Sequence, residues 1–325
     1  DLKVRAGTVA LGANIVLADS ISVTVEGGIF DISTYSDIVT SVTLSSGSIT
    51  GTSGTLTASS YSVTNATGNT TISAKLAGAA NLTMSGAGTL TLSGANTYTA
   101  GTTISAGTLT ITGSLSDSTA VTVASGATYN VNASDTVGSI AGAGTITTTA
   151  SSGPITLTAG NDGTSTSFSG VLQDGTNATL ALTKVGAGTL TLSGTNTYTG
   201  GTTINTGALA VASTGTLGGS TGNLTMTGTS TLDLQTALSV GNLVMASGNS
   251  ITNSTGTSSL AVSGTSTLAN SITTSGDQTY TGAVTLLANT SLTATGNHAI
   301  VFTSTVDSNN VAAYALTTST GTSST

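Results

Sequence analysis

His298 is the only histidine among the 325 residues, so histidine acid–base chemistry near neutral pH would have to pass through it. A Ser-His-Asp triad needs that imidazole between a carboxylate and a nucleophilic hydroxyl. The chain has no G-x-S-x-G elbow to present such a serine, and His298 is expected at a turn or on the surface. Glycoside chemistry needs two carboxylates across one bond, and lyase chemistry a base beside clustered acids. Here the twelve acids are scattered, Glu26 is the only glutamate, and the basic residues are Lys3, Arg5, Lys75 and Lys184. Asp162 and Asp174 are each followed by a glycine (Gly163, Gly175), a context that forms turns. Gly-Ala-Gly-Thr at 86–89 and again at 186–189 lacks the Gly-Lys-Thr ending and the helix of a phosphate loop. Cysteine is absent, which removes thiolate nucleophiles, disulfides and cysteine metal sites. Neither an EF-hand loop nor the calcium-binding nonapeptide occurs, so calcium would have only acidic turns to bind. No catalytic, metal or cofactor residue is assigned. Tyr98, Tyr198 and Tyr280 stand in matching Thr-Tyr-Thr contexts. Exposed, they would be platforms for sugar rings; packed over a coil corner, which is the expectation, they would be core.

The composition around these residues is unusual. Serine and threonine make up over a third of the chain, glycine contributes 43 residues, and only 5% is charged. Thr, Val, Ser and Gly form helices poorly, and no stretch repeats its apolar residues at helical spacing. Disorder would need high charge and few β-branched residues, the reverse of what is found. A single proline excludes collagen, and no apolar run reaches the ~18–20 residues of a membrane span. A net charge of −8 argues against nucleic acid and anionic membrane as partners. The opening Asp-Leu-Lys-Val-Arg is no signal peptide.

An internal repeat organises the chain. Residues 86–111 read GAGTLTLSGANTYTAGTTISAGTLTI and residues 186–211 read GAGTLTLSGTNTYTGGTTINTGALAV, with 19 of 26 positions identical. Weaker correspondence outside these stretches gives three units, near 1–105, 106–205 and a diverged 206–325, within one continuous solenoid over 1–325. Inside each unit the period is two: Thr89-Leu90-Thr91-Leu92 and Thr108-Leu109-Thr110-Ile111 alternate hydroxyl with aliphatic. This places Leu90, Leu92, Ile104, Leu109, Ile111, Leu190, Leu192 and Ile204 in a core, with Thr91 and Thr110 on a solvated face. Ser-Gly, Ala-Gly, Asn-Thr and Gly-Gly punctuate strands of four or five residues.

Near-identical copies with small side chains suit stacked coils better than a sandwich, whose core would be heterogeneous and aromatic-rich. The expected fold is all-β, a parallel β-helix (β-solenoid) of ~16 coils of ~20 residues. Stacking also explains the missing charge, because like charges would recur every ~4.8 Å along the coils. Asn96 and Asn196 occupy equivalent turns and would form amide ladders if their neighbours in the stack also carried Asn.

Residues 86–111 and 186–211 resemble the autotransporter-associated β-strand repeat of bacterial passenger regions and large surface adhesins. Residues 166–209 follow that pattern through Lys184, which precedes Gly-Ala-Gly. Residues 276–307 are similar to repeats of filamentous-haemagglutinin-like adhesins. The resemblance implies a right-handed parallel β-helix outside the cell or on the bacterial surface, non-enzymatic, used for adhesion, aggregation or an extracellular layer. Its implied partners are neighbouring repeats or further copies end to end, and cell surfaces, abiotic surfaces or glycans. The chain starts in mid-repeat and ends without a cap, so an internal segment or a subunit stacking head to tail into a filament is expected. Because parallel β-helices also host polysaccharide lyases and glycosidases, a carbohydrate-active enzyme is the remaining alternative.

Overall fold

A computed structural model describes residues 1–212, 214–309 and 311–321. It is all-β, with no α-helix among the described residues, and its parallel strands make a β-solenoid of about 15 turns. The coil length drives this count. Val23, Val42, Tyr61, Leu82, Thr102, Val121 and Ile140 follow one another in strand register, in steps of 19 to 21 residues.

Two compact units are distinguished: Asp1–Leu157 with Gly175–Ala178, and Thr158–Asp174 with Thr179–Thr325. In the first, a second column runs Phe30, Ile49, Ile72, Leu92, Ile111 and Val131. A short third sheet joins Asp37, Leu56 and Leu76. In the second unit, Leu190, Leu209, Leu232, Ile251, Ile272 and Leu292 form one column. Val240, Val262, Tyr280 and Phe302 form another. Along these columns aliphatic side chains mostly stack on aliphatic ones one coil on, with Tyr61 and Tyr280 as larger members set against Val42 and Val262.

The two-residue period becomes burial directly. In the strand Thr89–Leu92 the leucines are fully buried and the threonines half-buried. Leu109, Ile111, Ile104, Leu192, Ile204 and Leu209 are also fully buried, and Leu190 nearly so. Each such side chain contributes ~1.5–3 kcal/mol of burial, so the coils are held by many modest terms. Several threonines are buried rather than outward, Thr70, Thr102, Thr110, Thr202 and Thr290 among them. Thr110 is only 9% exposed, because its register partner Asn130 lies over it and donates Nδ2–H to its Oγ1 at 3.2 Å. Thr102 and Thr202 point inward, where tyrosine hydroxyls meet them.

Glycine is indispensable at one repeated turn. Gly107 and Gly207 have φ of +71° and +70°, in the left-handed region. A Cβ on either would run into a backbone carbonyl of the preceding coil, that of Gly88 or Gly186.

Candidate functional site

The residues that could carry chemistry are dispersed through the coils, and each has a structural use. His298 Nδ1 lies 3.2 Å from Asp277 Oδ1 on the surface. The Ala299 N–H at 2.8 Å, and after it His298, hold the Asp277 carboxyl below the usual carboxylate range. This is the acid–histidine half of a triad. Among the described residues, however, no serine or threonine hydroxyl hydrogen-bonds to His298.

Asp162 and Asp174 act within turns and between coils. Asp162 Oδ1 accepts from the Thr164 N–H (2.8 Å) and hydroxyl (2.7 Å), an Asx turn. Asp174 accepts from the Leu180 N–H at 2.7 Å and from the Thr199 hydroxyl at 2.6 Å. Among the described residues, no three His, Asp or Glu side chains are grouped to hold a metal ion.

The three repeat-equivalent tyrosines are buried, so they offer no ring face to a sugar. Tyr98 and Tyr198 share hydrogen bonds with the Thr102 and Thr202 hydroxyls at 2.7 and 2.6 Å. Tyr280 donates to Gln278 Oε1 at 3.0 Å and stacks on Phe302 with ring centroids 5.2 Å apart. Burial pushes all three phenols well above their ordinary range, which keeps them neutral hydrogen-bonding groups.

Asn96 and Asn196 do not stack into amide ladders. Asn96 Oδ1 accepts from the Leu76 N–H one coil back, and its Nδ2 donates to the Gly94 and Ser114 carbonyls. Asn196 likewise accepts from Leu172 N–H and donates to the Thr216 carbonyl. At corners where the backbone leaves the strand ladder, one amide side chain satisfies main-chain groups on both sides, which an Asn–Asn ladder would leave unpaired.

Two residues with this stitching role escape the sequence reading. Asp135, 7% exposed, accepts from the Leu115 N–H at 3.0 Å, as Asn96 does from Leu76. Burial pushes its carboxyl up to about 6 against backbone N–H groups that favour the charge. The available signal was the recurrence of Asp or Asn about a coil after the amide it serves, seen also where Asp37 accepts from Val16 and Leu17. Lys184 is the second. Its side chain is buried, and Nζ donates to the carbonyls of Val185 (2.7 Å), Gly186 (2.9 Å) and Thr206 (3.3 Å). Burial lowers its pKa, partly offset by Asp162. The position 100 residues earlier holds Met84, also fully buried. A long unbranched chain is common to both copies; the ammonium is not.

The passenger-associated-transport-repeat family model matches the chain twice, at residues 82–111 and 182–211. Both matches span the glycine turn, the alternating strand and the buried tyrosine described above. The repeat and the solenoid together are consistent with an autotransporter-type passenger β-helix. No curated protein and no solved structure matches the chain.

Proposed function

We propose that this chain is a non-enzymatic structural and adhesive segment of a passenger-type β-helix carried outside the bacterial cell. The observation that carries the reading is the repeat itself. The passenger-repeat match occurs twice, and in both copies the inward aliphatics build the core while threonine fills most of the outward strand positions. Such a segment displays hydroxyls on a hydrogen-bonded scaffold and meets other surfaces through them. The side chains with catalytic potential support the same reading, since Asp162, Asp174 and Lys184 are engaged in holding turns.

Protease treatment of intact producing cells tests the location. The chain should be removed while a cytoplasmic marker survives; protection equal to that of the marker would overturn the reading. Negative-stain electron microscopy of the purified chain tests the assembly alternative. Separate particles at high concentration are expected, and end-to-end filaments would replace the segment reading with a stacking subunit. Incubation with neutral and uronic-acid polysaccharides should release no new reducing ends or unsaturated products. A product would favour the carbohydrate-active enzyme instead.

A further inference from the structure

We infer that a shallow groove in the second unit, across residues 270–271, 289–291 and 315–317, is a binding site for a neutral oligosaccharide. The cavity measures about 380 Å³, within the size range of small-ligand sites. Ser271, Ser291 and Thr317 occupy one register position on three successive coils. Their hydroxyls make no hydrogen bond among the described residues and are spaced at the strand separation of ~4.8 Å. That spacing is comparable to the advance per ring of an extended polysaccharide.

Two amides flank the hydroxyl row. Asn270, in a left-handed conformation (φ +61°), donates through Nδ2 to the Asn249 carbonyl at 3.2 Å, which leaves Oδ1 as a free acceptor. Asn289 accepts the Ala315 N–H on Oδ1 at 3.0 Å, which leaves its Nδ2 as a free donor. Main-chain ties thus orient both amides, the arrangement that lowers the entropy cost of binding.

The chemistry selects the ligand class. None of the lining residues carries a charge, so a phosphate, sulfate or uronate would be desolvated without a counter-charge. A purely apolar ligand would leave the amides and hydroxyls unpaired. Two of the strands beneath, Ser266–Thr274 and Val284–Ala294, are already paired on both sides in the coil stack, so there the groove offers no free edge for an added peptide strand. A sugar ring presents hydroxyls at its rim and C–H groups on its face, matching the hydroxyls and amides and the methyls of Ala315 and Thr317. The inference narrows the adhesive reading to one partner class, and it rests on that reading only for placing the groove outside the cell.

The test is calorimetric titration of the whole chain with hexasaccharides of β-1,4-glucose, β-1,3-glucose, α-1,4-glucose, β-1,4-N-acetylglucosamine and galacturonic acid. At least one neutral hexasaccharide should bind, and the uronate should not. Ser291→Gln and Thr317→Gln, which fill the groove without charge, should each weaken binding at least ~10-fold, about 1.4 kcal/mol. Thr103→Gln is the control. It lies in an outward hydroxyl column of the first unit (Ser62, Thr83, Thr103, Thr122) and should leave binding unchanged. Circular dichroism melts confirm that each variant is folded. Failure of every neutral hexasaccharide, preference for the uronate, or equal weakening by Thr103→Gln would overturn the groove. Intact-cell protease shaving reads the location separately, so a loss of the groove leaves the passenger reading standing, and the reverse.

Discussion

At the scale of single residues, the polar groups inside the coils are where substitution is most informative. Asp135 is held by the Leu115 N–H in a place that Asn96 fills elsewhere with an uncharged amide. Its carboxyl titrates near 6 in the folded chain against about 3.8 unfolded. Between those values the folded chain holds a proton that the unfolded chain has lost. This group therefore adds stability as pH falls through 6 toward 4, and costs most above 6. Asp135→Asn should raise stability by ~1–2 kcal/mol at pH 7.5 and by little at pH 4.5, read as the difference in melting temperature from wild type. A lower melting temperature for the variant at pH 7.5 would mean that the charge itself is used. The Tyr98–Thr102 pair invites a cycle of its own. Tyr98→Phe strands a buried hydroxyl and should cost ~1–3 kcal/mol, and adding Thr102→Val should recover part of the loss. Full additivity of the two changes would show that the hydroxyls do not depend on each other.

At the scale of the strand and its turn, the alternating pattern and the glycine corner define each coil. Leu92→Asp or Ile111→Asp puts a charge among fully buried neighbours and should abolish cooperative folding, whereas Thr91→Ser should cost under ~0.5 kcal/mol. Gly207→Ala combines left-handed backbone with a contact to the Gly186 carbonyl and should cost over ~2 kcal/mol in urea melts. The strands were legible because burial of one face demands a period of two, and Leu90, Leu92, Leu109 and Ile111 show it without interruption. The corners were less so. Asn96 was visible as a repeated turn residue, but its partners are main-chain groups set by how one coil lies on the next, which residue type does not encode. Thr110 escaped for a similar reason, since its cover comes from Asn130, 20 residues away in sequence and adjacent only after stacking. Lys184 marks the limit. Its place in the pattern was readable, its inward course toward three carbonyls was not, because Met84 fills the same place with no charge to satisfy.

At the scale of the whole molecule, the composition that set this chain apart has a measurable consequence. Only 5% of residues are charged, and Arg5–Glu26 and His298–Asp277 are ion pairs at the surface. Exposed pairs contribute ~0–1 kcal/mol and are screened by salt. The weight of stability therefore falls on aliphatic burial and on the strand ladder, which sodium chloride hardly touches. The net charge of −8 is spread over 325 residues, so relief of self-repulsion should also be small. The melting temperature should shift by less than ~4 °C between 50 mM and 1 M sodium chloride, while ammonium sulfate at equal ionic strength should raise it by strengthening apolar burial. Differential scanning fluorimetry with an extrinsic dye reads both, since the chain has no tryptophan. A steep loss of stability in sodium chloride would mean that the few charges carry far more than their exposure allows. A chain whose coils hold in either medium is suited to surroundings whose ionic strength no cell controls, the setting that the passenger reading assigns to it.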